Sequence, residues 1–271
     1  MLFRSDADDH DHELEDDEDK NSKGKYITDI AGDIEKVLKK KPASQNGAKQ
    51  TTKTQAFDSP DEGHLENPTS LLEYQEKNSP TGFVVKYPAD KKYYGTYELV
   101  YLIAKMGAFT KKVLPQTDLL VGPLSDANGG PQAKGQKSHQ NGLDADFAFY
   151  MRGQKASEPN AVAASGGKVS SNFMLEEQWM LFKYIVTARV NDGIAIDRIF
   201  IDGTLKQALC QYAIKKEELK RDTKSGPAFE TLRRLRLWKS HANHYHVRIK
   251  CPQGKVGCWQ MEDPSLTSGC F

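Results

Sequence analysis

Long apolar runs are missing from this sequence of 271 residues. Because a membrane-spanning helix needs about 20 mostly apolar residues, we expect no stable membrane insertion. The N-terminus also lacks a basic start followed by an apolar stretch, so no secretory signal is recognisable there. The four cysteines include no Cys-x-x-Cys pair, which disfavours a structural zinc site closed by cysteine ligands. Histidine is limited to seven residues, and four of them fall in two short segments.

Negative charge is concentrated in the first twenty residues, which contain ten Asp or Glu and two basic residues, a net charge of −8. The rest of the chain has 36 Lys plus Arg and 27 Asp plus Glu, a net charge of +9. The net positive charge of residues 21–271 favours an anionic partner, either a cell-wall polymer or nucleic acid. Basic and aromatic residues are not interleaved as in nucleic-acid sites, so we expect no nucleic-acid partner.

Composition divides the chain into four segments. We expect residues 1–25 to be a disordered acidic tail. Residues 26–41, with Ile27, Ile30 and Ile34 at helical spacing, predict an amphipathic helix. Residues 42–69 are rich in Gln, Asn, Lys, Ser and Thr and predict a polar linker. Residues 70–271 are then expected to form the folded domain.

Helical and strand patterns are mixed within residues 70–271, without a regular strand-helix-strand repeat. A helix is expected to begin after Thr96, run through Met106 and stop at Gly107. Other predicted elements are a strand over Asp118–Gly122, a helix from Asn172 to about Arg189, a strand over Asp197–Ile201 and a helix bearing Leu205, Leu209 and Cys210. This mixture predicts an α+β fold, in which helices pack around a central antiparallel sheet.

The first histidine segment runs from Ser138 to Asp146. Gly142 allows a tight loop after His139, and the residues that follow alternate in polarity as a strand does. Asp144 and Asp146 should therefore point to the same face of that strand.

The second segment contains His241, His244 and His246 and continues into a strand-like alternation. Side chains two residues apart share a face of a strand, so His244 and His246 should project into the same space. One of them can then bind a metal while the other acts on water or on substrate. His241 could stand behind them as a third imidazole.

Together, the two segments predict a catalytic zinc site on the face of the sheet. Such a site uses three protein ligands and keeps a fourth position open, and His139, Asp146 and one of the late histidines supply that set. A structural zinc site is the main competitor, but structural sites usually have four Cys or His ligands. Histidines that bind no metal are the third interpretation, which the clustering disfavours.

Three neighbouring residues each admit two interpretations. Asp144 could orient one of the zinc-binding histidines or lie at the rim of the strand. Trp238 could line a substrate cleft or belong to the core. Arg248 could act near His246 or be a surface charge.

Several stretches of the sequence resemble the penicillin-insensitive murein endopeptidases, within the group of metallopeptidases that includes lysostaphin, D-Ala-D-Ala peptidases and hedgehog domains. The matching stretches, in the order of that family, are Ser138 to Asp146, Arg198 to Ile201, Leu205 to Cys210 and Trp238 to Pro252. The likeness extends from about Tyr93 to Cys270. One departure is Gln136, where family members often have a further histidine.

The resemblance implies a role for each residue that matches the motifs of the family. It implies that zinc binds to His139, Asp146 and His246. It also implies that His244 is the catalytic histidine and that His241 assists it. The implied fold is the same α+β fold, with the zinc site on the sheet.

The four cysteines lie in the last quarter of the chain and form an even number, which predicts disulfides. From the residues alone three pairings are open, and so are four free thiols in a cytosolic protein. The resemblance favours Cys251 with Cys258 and Cys210 with Cys270. Disulfides indicate an oxidising compartment, so we expect a periplasmic or otherwise exported protein of the cell envelope.

The implied function is zinc-dependent hydrolysis of peptide cross-links in peptidoglycan, between D-alanine and diaminopimelate. Residues 70–271 would be the zinc metallopeptidase domain, and its partners would be peptidoglycan stem peptides. Because no serine nucleophile is needed, β-lactams should not inhibit it. Two alternatives stay open: a zinc D-alanyl carboxypeptidase, and a non-catalytic zinc-bearing domain that binds the wall or a partner. The oligomeric state is not predicted.

Overall fold

A computed structural model of the protein describes residues 54–131, 137–187, 194–252 and 256–271. The predicted acidic tail, the predicted amphipathic helix and residues 42–53 of the predicted linker lie outside these ranges, as does Gln136. Within the described residues the elements are strands and helices of modest length. The strands are β1 (Gln55–Phe57), β2 (His64–Glu66), β3 (Thr69–Ser70), β4 (Phe83–Val85), β5 (Tyr94–Gly95), β6 (Leu119–Val121), β7 (Asp144–Ala148), β8 (Ala164–Ser165), β9 (Lys168–Val169), β10 (Ile196–Ile201), β11 (Leu235–Leu237) and β12 (His244–Ile249). The α-helices are α1 (Leu71–Asn78), α2 (Tyr97–Val113), α3 (Leu175–Thr187), α4 (Gly203–Lys215) and α5 (Pro227–Arg234).

The main sheet has six strands in the order β11-β10-β12-β7-β6-β4. Its centre is antiparallel, because β12 pairs with both β10 and β7 in that sense. Its two edges are parallel, since β11 pairs with β10 and β4 with β6 in that sense. The prediction of mixed strands and helices is confirmed, but the prediction of an antiparallel sheet is wrong at the edges. Helices connect each parallel pair, and parallel strands require such a crossover.

The central strands have one face toward the apolar core and the other toward a polar cluster. On β12, Tyr245 and Val247 are fully buried on the core face. The ring of Tyr245 packs against Phe147 of β7, with centroids 5.2 Å apart, and against Phe182 of α3, at 5.1 Å. The side chains of the alternate residues His244, His246 and Arg248 therefore project from the opposite face of the sheet.

Helix α2 begins where the sequence predicts but ends later. The Thr96 side chain accepts a hydrogen bond from the Leu99 N–H, which confirms the predicted cap. The helix passes Gly107, the predicted stop, and ends at Val113. A Cβ at Gly107 would lie 2.6 Å from the Thr81 carbonyl oxygen, so this glycine allows close packing rather than a helix end.

A hairpin of β1 and β2 occupies residues for which the polar composition predicts a linker. Only its alternate residues are apolar and buried, among them Ala56 and Leu65, so its composition resembles that of a linker. The described folded region therefore begins by Thr54 rather than at residue 70.

Two disulfides are present, Cys210–Cys270 and Cys251–Cys258. Both pairings agree with those favoured by the family resemblance. The first joins α4 to the C-terminal segment, and the second closes a short loop after β12. Among the described residues, no helix has the length and apolar character needed to cross a membrane.

Candidate metal centre

His139, Asp146 and His246 meet on the polar face of the main sheet. One potential ligand atom of each lies within 4.8 Å of the others. The two strand residues are brought together by register, because His246 on β12 pairs directly with Asp146 on β7. The structure thus brings together the three residues that the sequence predicts as metal ligands.

The third member of the cluster, His139, comes from a loop and has a left-handed backbone conformation, with φ of 68°. Two neighbouring side chains hold this loop against the β1–β2 hairpin. Gln140 donates from Nε2 to the Asp61 carbonyl at 2.6 Å, and Asn141 donates from Nδ2 to the Asp58 carbonyl at 3.3 Å. The position of His139 therefore depends on a segment about eighty residues earlier in the chain.

The donor set fits a divalent cation. Asp146 Oδ1 lies 3.4 Å from His139 Nε2 and 3.2 Å from His246 Nδ1. That oxygen is buried and accepts no hydrogen bond of normal geometry. Two imidazole nitrogens and one carboxylate oxygen converging on a common point form a set that transition metals bind well.

Asp144 orients His246 from the side opposite Asp146. Its Oδ1 lies 2.6 Å from His246 Nε2 and accepts a 2.7 Å hydrogen bond from Arg248 Nε. Because Nε2 is engaged by Asp144, Nδ1 is the nitrogen that His246 presents to the cluster. Of the two interpretations of Asp144, the structure therefore favours the one in which it orients a ligand.

The carboxylates of Asp144 and Asp146 are both held ionised. Burial by itself would raise the pKa of Asp144, but Arg248 and His246 outweigh it and lower that pKa. Burial opposes ionisation of Asp146 as well, and His139 and His246 hold its pKa well below the usual value. Negative charge at the cluster is therefore present at neutral pH, as a bound cation would require.

Arg248 is buried, with 8% of its surface exposed, so its interpretation as a surface charge is wrong. Its guanidinium lies over the Phe200 ring at 5.5 Å, and Phe200 pairs in register with His246. Alternation along β12 places Arg248 on the same face as His246, and that signal could have identified its role. Phe200 could not be found in this way, because its contact depends on the register between strands.

His244 and His241 lie beside the three potential ligands. The centroids of the His241 and His244 rings are 4.5 Å apart, and those of the His241 and His246 rings are 6.2 Å apart. His244 Nδ1 donates to Asn243 Oδ1 at 2.7 Å, and His241 Nδ1 donates to the Lys239 carbonyl at 2.9 Å. Each ring therefore keeps Nε2 as an acceptor. Burial lowers the pKa of both imidazoles, which favours this neutral form.

An aromatic wall borders the cluster on the β10–β11 side. The Phe200 ring lies 5.1 Å from the His246 ring and 5.6 Å from the Trp238 ring. Trp238 is 58% exposed, so it is not a core residue. An exposed tryptophan next to a polar cluster offers a surface against which a substrate can pack.

The sequence of this chain is similar to the sequences of known proteins. A sequence profile of the family described as penicillin-insensitive murein endopeptidase matches residues 75–271. Proteins of that name from Pectobacterium atrosepticum and Yersinia pestis are 29% and 28% identical to this chain over 188 residues, which is 66% of the chain in each case. The Klebsiella pneumoniae protein of that name is 28% identical over 200 residues, 71% of the chain. The matched region spans 60%, 62% and 66% of the length of these three relatives.

Proposed function

The chain belongs to the family of penicillin-insensitive murein endopeptidases, and on that premise we propose that it is a zinc-dependent endopeptidase of peptidoglycan. It hydrolyses peptide cross-links between D-alanine and diaminopimelate, and β-lactams do not inhibit it. The observation that carries this proposal is the convergence of His139, Asp146 and His246, with His244 on the same face of the sheet.

In this proposal His139 Nε2, the Asp146 carboxylate and His246 Nδ1 would hold the zinc ion. When bound there, zinc would supply Lewis acidity to the attacked carbonyl group and to the attacking water. Asp144 keeps the Nε2 proton on His246 and so presents Nδ1 to the metal. Such partners of ligating histidines fix the tautomer and the orientation of the ring.

His244 is the proposed general base. The hydrogen bond from its Nδ1 to Asn243 fixes the tautomer in which Nε2 can accept a proton from the attacking water. That proton can then be delivered to the leaving amine. General acid–base groups contribute about 10²- to 10⁴-fold to the rate, so His244→Ala should lose activity on that scale and keep its metal.

His241 assists His244. Its Nδ1 donates to the Lys239 carbonyl, so its Nε2 can accept a hydrogen bond from water or from a substrate N–H. Because its ring lies against that of His244, it also fixes the position of the base.

The two disulfides and the net positive charge outside the acidic segment support a site of action in the cell envelope, which we propose to be the periplasm. Disulfides persist in oxidising compartments. A positive body attracts an anionic wall polymer, and the aromatic wall at Trp238 would contact the peptide that is cut.

The proposal is tested by incubating zinc-loaded and EDTA-treated protein with defined muropeptide dimers, with and without a β-lactam, and following monomer release by mass spectrometry. His246→Ala is the inactive variant, and Lys224→Ala, which changes an exposed residue outside both the cluster and the hairpin, is its control. We expect zinc-dependent cleavage by the wild type and Lys224→Ala alone. Removal of terminal D-alanine from uncross-linked stems without dimer cleavage would instead identify a carboxypeptidase. Zinc binding with no cleavage would identify a binding domain.

A further inference from the structure

A cavity of about 550 Å³ opens at the end of β7, two residues beyond Asp146. It lies between the start of β6, the end of β7 and residues 152–156, and we call it the β7 cavity. Its buried lining includes Leu120, Ala148 and Met151. This volume is within the usual range of pockets that bind small ligands.

Strand register places the β7 cavity next to the reacting groups. Ala148 follows Asp146 by two residues on β7, so their side chains share a face and lie about 7 Å apart along the strand. The cross-strand partner of Ala148 on β12 is His244. Ala148, which lines the cavity, is therefore a neighbour of both a potential metal ligand and the proposed base, although neither of these two residues lines the cavity itself.

The loop that forms the outer wall of the cavity is held in place at several points. Lys86 Nζ donates to the Glu158 carbonyl and to Asn160 Oδ1, each at 2.6 Å. Gln154 Oε1 accepts a 2.7 Å hydrogen bond from the Ala161 N–H. The chain between β7 and β8 also contacts the second histidine segment, because the Ala163 N–H donates to the Ala242 carbonyl at 2.7 Å. These hydrogen bonds therefore fix the loop that forms the outer wall of the β7 cavity.

Charge around the β7 cavity is net positive. Among the described residues, the charged ones that line it are Asp118, Arg152 and Lys155. Asp118 pairs with Lys111 at 2.8 Å and Lys155 pairs with Glu158 at 3.6 Å, and neither partner lines the cavity. The remaining positive charge is that of Arg152, whose Nη1 donates to the Ser171 carbonyl at 2.8 Å. Arg152 and Lys155 are exposed at the rim. An apolar floor with a basic rim suits a small aliphatic residue that carries a carboxylate.

We propose that the β7 cavity is a substrate subsite that binds a carboxylate-bearing residue of the stem peptide, beside the bond that is cut. This inference rests on the proposed endopeptidase function. An extended peptide advances about 3.3–3.6 Å per residue. A chain with its scissile carbonyl at the metal cluster therefore reaches Ala148 with a residue one or two positions away.

The experiment compares two substrates that differ only in charge: a muropeptide dimer with free stem-peptide carboxylates, and the same dimer with those carboxylates amidated. The kcat/KM of the zinc-loaded protein is measured for each. We expect the free carboxylate to be preferred by about fivefold, the scale of one partly exposed ion pair. Lys155→Glu, which alters an exposed side chain at the rim, should abolish or reverse that preference, mainly through KM.

Lys224→Glu is the matched control, because Lys224 is exposed and does not line the cavity. This variant has the same net charge as Lys155→Glu and should keep the preference of the wild type. Equal kcat/KM for the two dimers in wild type and Lys155→Glu would overturn the subsite and leave the endopeptidase function standing.

Binding of an uncross-linked tetrapeptide stem, measured by calorimetry, separates the subsite from turnover. The wild type should bind the free peptide about fivefold more tightly than the amidated peptide, and Lys155→Glu should not. If no dimer is cleaved but this difference in binding is present, the proposed function fails and the cavity remains a carboxylate site. If the two peptides bind equally well, the inference fails whatever the activity.

Discussion

Two parts of the metal cluster are built in different ways. Asp146 and His246 lie on adjacent central strands, and their meeting follows from register and alternation. His139 lies on a loop, in a left-handed conformation, and its neighbours are held by the β1–β2 hairpin. The strand part is thus supported by the core of the domain. The loop part depends on a hairpin near the beginning of the described chain, so the two parts should respond differently to mutation.

Breaking the strand part should have the largest effect. Asp144→Ala removes the group that orients His246 and leaves the buried Arg248 without its carboxylate partner. We expect zinc affinity to fall about 10- to 100-fold. The free energy of unfolding should decrease by about 3–5 kcal/mol, because a buried charge loses its partner. Competition titration with a chelator and urea unfolding measure the two effects.

The double variant Asp144→Ala, Arg248→Met is the control for that experiment. Because it removes both charges, it should recover most of the lost stability and still bind zinc weakly. Wild-type zinc affinity in Asp144→Ala would mean that His246 is oriented without Asp144.

Breaking the loop part should have an intermediate effect. A Cβ added at Gly63 would lie 2.3 Å from the Phe57 carbonyl oxygen and 2.9 Å from Asn141 Cβ. Gly63→Ala should therefore shift the hairpin away from the loop that bears His139, reducing zinc affinity about tenfold and stability by about 1–3 kcal/mol. Isothermal titration with zinc and thermal unfolding check these expectations.

Gly203→Ala is the matched glycine control, because a Cβ there would only meet Leu237 at 3.9 Å. It should leave zinc affinity unchanged. If Gly63→Ala also binds zinc normally, the position of His139 does not depend on the hairpin.

A change outside both parts should alter stability alone. Burial, with Arg236 nearby, lowers the pKa of Lys206 from 10.5 to about 8, and its Nζ donates to the Leu235 carbonyl. Below about pH 8 the lysine is charged in both the folded and the unfolded state. Between about pH 8 and 10.5 only the unfolded state keeps the proton, so the contribution of Lys206 to stability rises with pH.

The corresponding measurement is the free energy of unfolding of wild type and Lys206→Met at pH 7 and pH 10, from urea titrations of the zinc-loaded proteins. The wild type should gain about 1–2 kcal/mol relative to the variant over this interval. Zinc affinity at pH 7 should be the same in both proteins. A constant difference in stability would show that Lys206 titrates normally.

Features that depend on neighbouring residues could be predicted from the sequence, and features that depend on distant residues could not. Alternation alone placed Asp144 with Asp146 and His244 with His246, because the period of a strand is local. The cap at Thr96 was predictable for the same reason. The parallel edges of the sheet, the contact of Phe200 with His246 and the packing at Gly107 all depend on residues far apart in the chain. The hairpin was missed because its short strands bury few apolar side chains, and polar composition then predicts a linker.

The most direct test of the account is a crystal structure of the zinc-loaded protein, with anomalous diffraction measured on both sides of the zinc absorption edge. We predict one zinc ion, bound by His139 Nε2, the Asp146 carboxylate and His246 Nδ1, with Asp144 still accepting from His246 Nε2. A zinc ion bound without His139, or bound through His244 in place of His246, would contradict it.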